Sequence, residues 1–162
     1  MSARSAIGSL LALALLSYSG GSCAQTADSL DSVFERDIAI IVASAHACYR
    51  FDIYLALNET QQRRGLMFVR DLPQTTGMLF VYGREAIRSM WMKNTFIPLD
   101  IAFTREDGSI INIAYSTEPQ SLNSIRSTEP ARYVLELNAG VADAFDIAPG
   151  SRVLWGPIYS AD

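Results

Sequence analysis

Residues Leu99 to Tyr115 read LDIAFTREDGSIINIAY, and this stretch decides the fold class. Two apolar runs, Leu99 to Thr104 and Ser109 to Tyr115, flank Arg105-Glu106-Asp107-Gly108. Asp-Gly between such runs marks a hairpin, because Asp and Gly tolerate the positive φ that a turn matching strand twist demands. Paired strands need further strands or a covering layer, so the sequence on either side must supply them.

It does so in both directions. Downstream, Arg132 to Leu137 is a strand. Asn138 is placed to cap a short helix through Ala144, and Pro149-Gly150 turns into a last strand, Arg152 to Trp155. Upstream, Gly77 to Tyr82 and Ile87 to Met92 read as strands around Gly83, and Asp71-Leu72-Pro73 as a turn. Cys48 to Leu57 alternates, with Phe51, Ile53 and Leu55 on one face and Arg50, Asp52 and Tyr54 on the other, the period of a half-buried strand. Asn58-Glu59-Thr60-Gln61 has the form of a capping box, and Gly65 fits the stop of a short helix over Glu59 to Arg64. Ile38 to Ala43 is a first β-branched run. The expected class is mainly β (α+β): a compact barrel-like or two-layer β domain of about eight short strands with two short helices.

The amino terminus carries an export pattern. Arg4 is followed by IGSLLALALL over Ile7 to Leu16, then by small residues ending Ser22-Cys23-Ala24-Gln25. An apolar run of roughly ten residues is about half a bilayer span, which suits a signal peptide and not a permanent transmembrane segment. The expected divisions are a signal peptide over 1–24, a polar lead-in over 25–37 and a single globular domain over 38–162. The chain is then periplasmic or secreted after cleavage near Ala24. Lipidation at Cys23 is the competing outcome, although Gly20 stands where a lipid-attachment box wants a Leu-like residue. If Cys23 leaves, Cys48 is a lone thiol, expected to be buried as a small hydrophobe.

Composition narrows the partners. The chain has 162 residues, 49% hydrophobic and 19% charged, which suits a packed core and argues against disorder. The formal charge is −4, and with Arg4 as the only charge in the first 24 residues the remainder carries −5. That balance disfavours nucleic acid, which needs clustered Lys and Arg. The expected partner is a small polar ligand or an envelope protein.

The landmarks Arg64-Gly65-Leu66-Met67, Gly77-Met78-Leu79-Phe80, Met90-Trp91-Met92-Lys93-Asn94-Thr95, Pro98-Leu99-Asp100-Ile101 and Leu135-Glu136-Leu137-Asn138-Ala139-Gly140 resemble, in order and spacing, the domain of unknown function 192 family. The resemblance covers about residues 48 to 155. It implies a mainly β, barrel-like domain, often with an export signal. It implies no activity, because none is established for the family.

The residue inventory excludes some chemistry. His46, the only histidine, lies ahead of the matched region, so a Ser–His–Asp triad or a His-rich zinc site within that region is excluded. His46 and Cys48 share a strand face, where a packing role is expected. No phosphate-cradling glycine loop is present, and no cofactor is implied. The polar groups that converge on predicted element ends are Arg63, Arg64, Lys93, Asn94, Asp100 and Glu136. A few such groups in an apolar pocket define most small-molecule sites, and an Arg can clamp an anion. Glu136, inside an apolar strand, could accept from Lys93 or an Arg. The plainer reading is that these groups form ion pairs closing a barrel end.

Two further readings stand beside this one. Met67, Met78, Met90 and Met92 supply thioethers that select Cu(I), with Trp91 as a cover, although methionine at apolar strand positions is ordinary core filler. Asp100 and Glu136 would form the carboxylate pair of a hydrolase acting on envelope glycans if they faced one cleft at about 5–10 Å. The sequence leans away from an enzyme.

Overall fold

The computed structural model describes residues 30–44 and 47–156. The segment 1–24 with Cys23 and Ala24, and His46, lie outside these residues. Among the described residues are nine strands: β1 (Glu35–Val42), β2 (Cys48–Ala56), β3 (Thr76–Ala86), β4 (Ser89–Met90), β5 (Leu99–Thr104), β6 (Ile110–Ala114), β7 (Ile125–Arg126), β8 (Ala131–Asn138) and β9 (Arg152–Trp155). Two short helices, α1 (Glu59–Arg64) and α2 (Val141–Ala144), complete the set. The class is mainly β, as the alternating runs imply. No helix of the described residues is long and apolar enough to cross a membrane.

Seven strands form one sheet in the order β6-β5-β8-β3-β2-β1-β9, and β4 pairs with β7 apart from it. All neighbours in the sheet are antiparallel except β2 and β3, which are parallel. A parallel pair cannot be joined by a tight turn. The crossover between β2 and β3 carries α1 and lays it over one face. The sheet curls into a half-barrel, and its two edges meet where the β5–β6 hairpin reaches β9. There Ile110 N donates to Ser151 O at 2.8 Å and Val153 N to Gly108 O at 2.8 Å. The hairpin read from Asp107-Gly108 therefore also closes the curl.

Both faces of the sheet are buried, each by alternate residues. One core gathers Phe51, Ile53, Leu135 and Leu137, and it reaches both edges through Ile110 and Trp155, so it fills the inside of the curl. The other gathers Tyr54, Met78, Phe80, Ile101, Phe103 and Val134. It is roofed by Leu66, Val69 and Leu72 from the α1–β3 connection. Two-sided burial explains why all six residues of β5 are buried and why the run reads as continuously apolar. A buried side chain of this size contributes about 1.5–3 kcal/mol.

Several expectations need correction. Gly83 does not separate two strands: β3 runs on to Ala86, and the register to β8 shifts between Val81 and Ala86, so Gly83 sits in a bulge. The strand expected to reach Met92 shrinks to Ser89–Met90. Asn138 does not cap α2. The cap is Gly140, and Asn138 Nδ2 instead donates to Leu72 O at 2.6 Å, fastening the loop ahead of β3. Cys48 is exposed, not buried, because it opens β2 at the rim. Within the segment read as a polar lead-in, Leu30 and Phe34 are buried in the second core.

Candidate functional site

Helix α1 forms for local reasons. Asn58 Oδ1 accepts from Gln61 N at 3.0 Å, and Gln61 Oε1 accepts from Asn58 N at 3.3 Å, closing the capping box. Gly65 ends the helix at φ 48°, a left-handed conformation that a side chain resists. Gln62 Nε2 donates to Val81 O at 2.8 Å and ties the helix to β3. These contacts set where the last turn points. Arg63 lies outermost, paired with Glu59 at 3.2 Å in full solvent, a pair of little energetic weight. Arg64 turns inward. Its Nε is buried and has no hydrogen-bond partner among the described residues.

Beneath α1 runs a cross-strand row on the second face. Tyr54 pairs with Met78, Met78 with Glu136, and Glu136 with Ile101. Gly77 lets β3 and β8 approach here, since a Cβ on it would stand 2.7 Å from Glu136 O. A carboxyl thus occupies one place in an otherwise apolar row. Glu136 is only 4% exposed, and burial pushes its carboxyl up to about 8. At neutral pH it is a neutral acid. Among the described residues no hydrogen bond or ion pair reaches its side chain.

Glu136 and Arg64 line a common cavity of about 380 Å³. That volume sits at the small end of ligand sites, roughly 300–1,000 Å³. Leu66 and Phe80 line its depth, Met67 and Met90 its walls, and Trp91, 49% exposed, its mouth. Tyr82 also lines it, its hydroxyl 3.7 Å from Met90 Sδ. Burial raises the Tyr82 phenol, the Arg88 guanidinium stacked 3.8 Å over its ring opposes this, and nearby Glu136 raises it further. The cavity therefore combines a neutral buried acid, an inward guanidinium and apolar walls. It can hold an amphipathic small molecule by its polar ends. Its other lining acid, Glu59, sits at the exposed rim, paired with Arg63.

Of the six polar groups singled out in the sequence, Arg63, Arg64 and Glu136 come together here. Lys93 stays exposed with Nζ 5.2 Å from the Trp91 ring centre, outside the cavity lining. Asn94 adopts φ 56° and serves the loop, its carbonyl accepting from Phe68 N at 2.8 Å. Asp100 belongs to the other face. Its Oδ1 accepts from Ser116 N at 2.8 Å and its Oδ2 from Ala142 N at 3.0 Å. Asp100 and Glu136 share no cleft, so the glycan-hydrolase pairing fails on geometry. The four methionines also divide. Met67 and Met90 line the cavity, whereas Met78 and Met92 are sealed in the core, with Thr117 Oγ1 3.2 Å from Met92 Sδ. That arrangement offers no four-thioether copper site. No cluster of three or more His, Cys, Asp and Glu side chains suited to a metal occurs among the described residues.

Sequence reasoning missed Gln62, Tyr82 and Thr95 as lining residues. Gln62 carried no spacing signal, because residues two apart on a helix do not face the same way. Tyr82 and Thr95 carried none beyond their chemistry.

Solved structures share the fold. A crystal structure from Sinorhizobium meliloti 1021, of a protein named as a candidate transcription regulator, is similar with a TM-score of 0.74 and 35% identity. The match covers 75% of this chain and 95% of that one. A protein of unknown function from Novosphingobium aromaticivorans DSM 12444 is similar with a TM-score of 0.73 and 32% identity, over 75% of this chain and 86% of that one. None of the curated proteins matches. The profile of the uncharacterised family DUF192, described as "Uncharacterized ACR", matches residues 40–155, and the chain belongs to that family.

Proposed function

We propose that this chain is a non-catalytic binding domain that takes a small amphipathic ligand into the cavity between α1 and the outer sheet face. The ligand's anionic end meets Arg64, its apolar body lies against Met67, Met90 and Trp91, and a polar group meets Glu136. The observation that carries this reading is the Glu136 carboxyl, 4% exposed and without a hydrogen-bond or ion-pair partner among the described residues, on the wall of an open cavity. A nearly buried polar group that no protein donor meets costs up to roughly 1–3 kcal/mol, and a ligand that pairs it recovers that cost on binding. The name of the Sinorhizobium protein suggests nucleic acid. A net charge of −4 gives that alternative no support, because backbone phosphates are held by clustered cations.

The test is a thermal-shift screen with aromatic carboxylates, sulfonates and phosphate monoesters. Hits should raise the melting temperature of the wild-type chain by several degrees. They should do nothing for Arg64→Leu or for Met67→Trp, which fills the cavity. Equal shifts in all three proteins, or no shift from any compound, would defeat the reading.

The working place we propose is the periplasm or the medium, after cleavage near Ala24, on the strength of the Arg4–apolar–small-residue order. Intact mass of the exported protein decides this. A mature chain starting at Gln25 supports it, an acylated chain starting at Cys23 replaces it with the lipoprotein, and an unprocessed cytoplasmic chain refutes both.

A further inference from the structure

The chemistry of the cavity points beyond an unspecified amphipath, on the assumption that the cavity is a ligand site. A neutral carboxyl presents one donor and one acceptor side by side. Its natural complement is a planar edge with the same two functions reversed. An ammonium fits poorly. It brings three donors and a charge against thioether, aliphatic and aromatic walls, and the one exposed lining acid, Glu59, is already paired with Arg63, which leaves the lining cation Arg64 to oppose it. A carboxylate at this wall fits poorly too, because among the described residues no cation pairs with Glu136. A flat ring suits the surroundings: Phe80, Tyr82 and Trp91 supply aromatic faces, and Met67 and Met90 supply adaptable sulfur contacts. Arg64, with its Nε unpaired, remains for an anion at the ligand's other end.

We propose that the cavity binds a flat heteroaromatic ligand of nucleobase type. Its edge sets an N–H beside an acceptor atom against Glu136, and its anionic tail, such as a phosphate monoester, meets Arg64. Every common nucleobase has such an edge, so the site separates ring class and not base identity.

Isothermal titration of the purified protein tests this with four probes: adenosine monophosphate, uridine monophosphate, benzyl phosphate and L-phenylalanine. Benzyl phosphate keeps the ring and the anion and lacks the edge. Both nucleotides should bind at least about tenfold more tightly than benzyl phosphate. Glu136→Leu should erase that preference. Glu136→Gln, whose amide also offers a donor beside an acceptor, should keep it, and circular dichroism confirms that each variant folds. Trp91 reports the site independently. It is one of two tryptophans, and the other, Trp155, is sealed in the opposite core with Nε1 2.7 Å from Asp37 Oδ2. Nucleotide quenching should vanish in Trp91→Phe. If benzyl phosphate binds as well as the nucleotides, with or without Glu136, the edge pairing is wrong while the cavity remains a ligand site. If phenylalanine binds best, a zwitterion site replaces the proposal. If no probe gives heat, the nucleobase proposal is overturned, and the thermal-shift screen with the broader panel decides the cavity separately.

Discussion

Asp100 and Glu136 sit on neighbouring strands, one residue apart in register, and are sealed to nearly the same degree, 1% and 4% exposed. Their surroundings are opposite. Asp100 faces the interior of the curl and receives two backbone N–H groups, from Ser116 at 2.8 Å and Ala142 at 3.0 Å. Glu136 faces the outer core and receives none from the described residues. A buried carboxylate with donors on both oxygens is a fastener: here it pins the start of α2 and the turn after β6 to β5. A buried carboxyl with no donors is held neutral at a standing cost to the fold. Depth of burial alone therefore says little about the role of an acid, and the partners decide it.

The first way to break this contrast is to remove the fastener. Hydrogen bonds to a charged group contribute about 1.5–3 kcal/mol each, so Asp100→Ala, losing two, should destabilise the fold by roughly 3–6 kcal/mol. Urea denaturation would register this as a lower midpoint at an unchanged slope. Asp100→Asn, which keeps one acceptor, should recover part of the loss. A change under about 1 kcal/mol in the Ala variant would mean that water replaces Asp100 without penalty.

Much of this was legible locally. The β5–β6 hairpin, the capping box of α1 and the ends of β9 follow from residues within a few positions of one another. Arg63 and Arg64 were legible as a helix end for the same reason. That Asp100 and Glu136 point to opposite faces was not. Strand side chains alternate, so a one-residue change of register exchanges the faces. The register between β5 and β8 is set by their pairing across distant sequence, which no local pattern shows. Lys93 and Asn94 looked like the end of a strand because Met90-Trp91-Met92 alternates like one. That strand stops at Met90, and Met92 N instead donates to Ser121 O in a loop. Gly83 misled because a glycine in a bulge and a glycine in a turn read alike. Glu136 itself was visible as an acid in an apolar run, but its lack of partners is a property of three dimensions.

Glu136→Gln sharpens the contrast from the other side, with a smaller effect of opposite sign. The Glu136 carboxyl holds its proton up to about 8 when folded, against an ordinary value of 4.5. Between those values the folded chain keeps a proton that the unfolded chain has released. Stability must therefore fall as pH rises through this window, by roughly 1.4 kcal/mol per unit, and level off above it. Below the window both states are protonated and the penalty is absent. Gln cannot titrate, so the variant should lose this slope. It should match the wild type near the low end of the window and exceed it by on the order of 3 kcal/mol at pH 7. Denaturation curves at three pH values across the window suffice. Parallel pH profiles for the wild type and Glu136→Gln would mean that Glu136 is ionised or solvated in the fold, and the unpaired neutral acid would no longer stand. Asp100→Ala, in the same series, should lower stability while leaving the Glu136 slope in place, because the two carboxyls occupy opposite faces and share no partner.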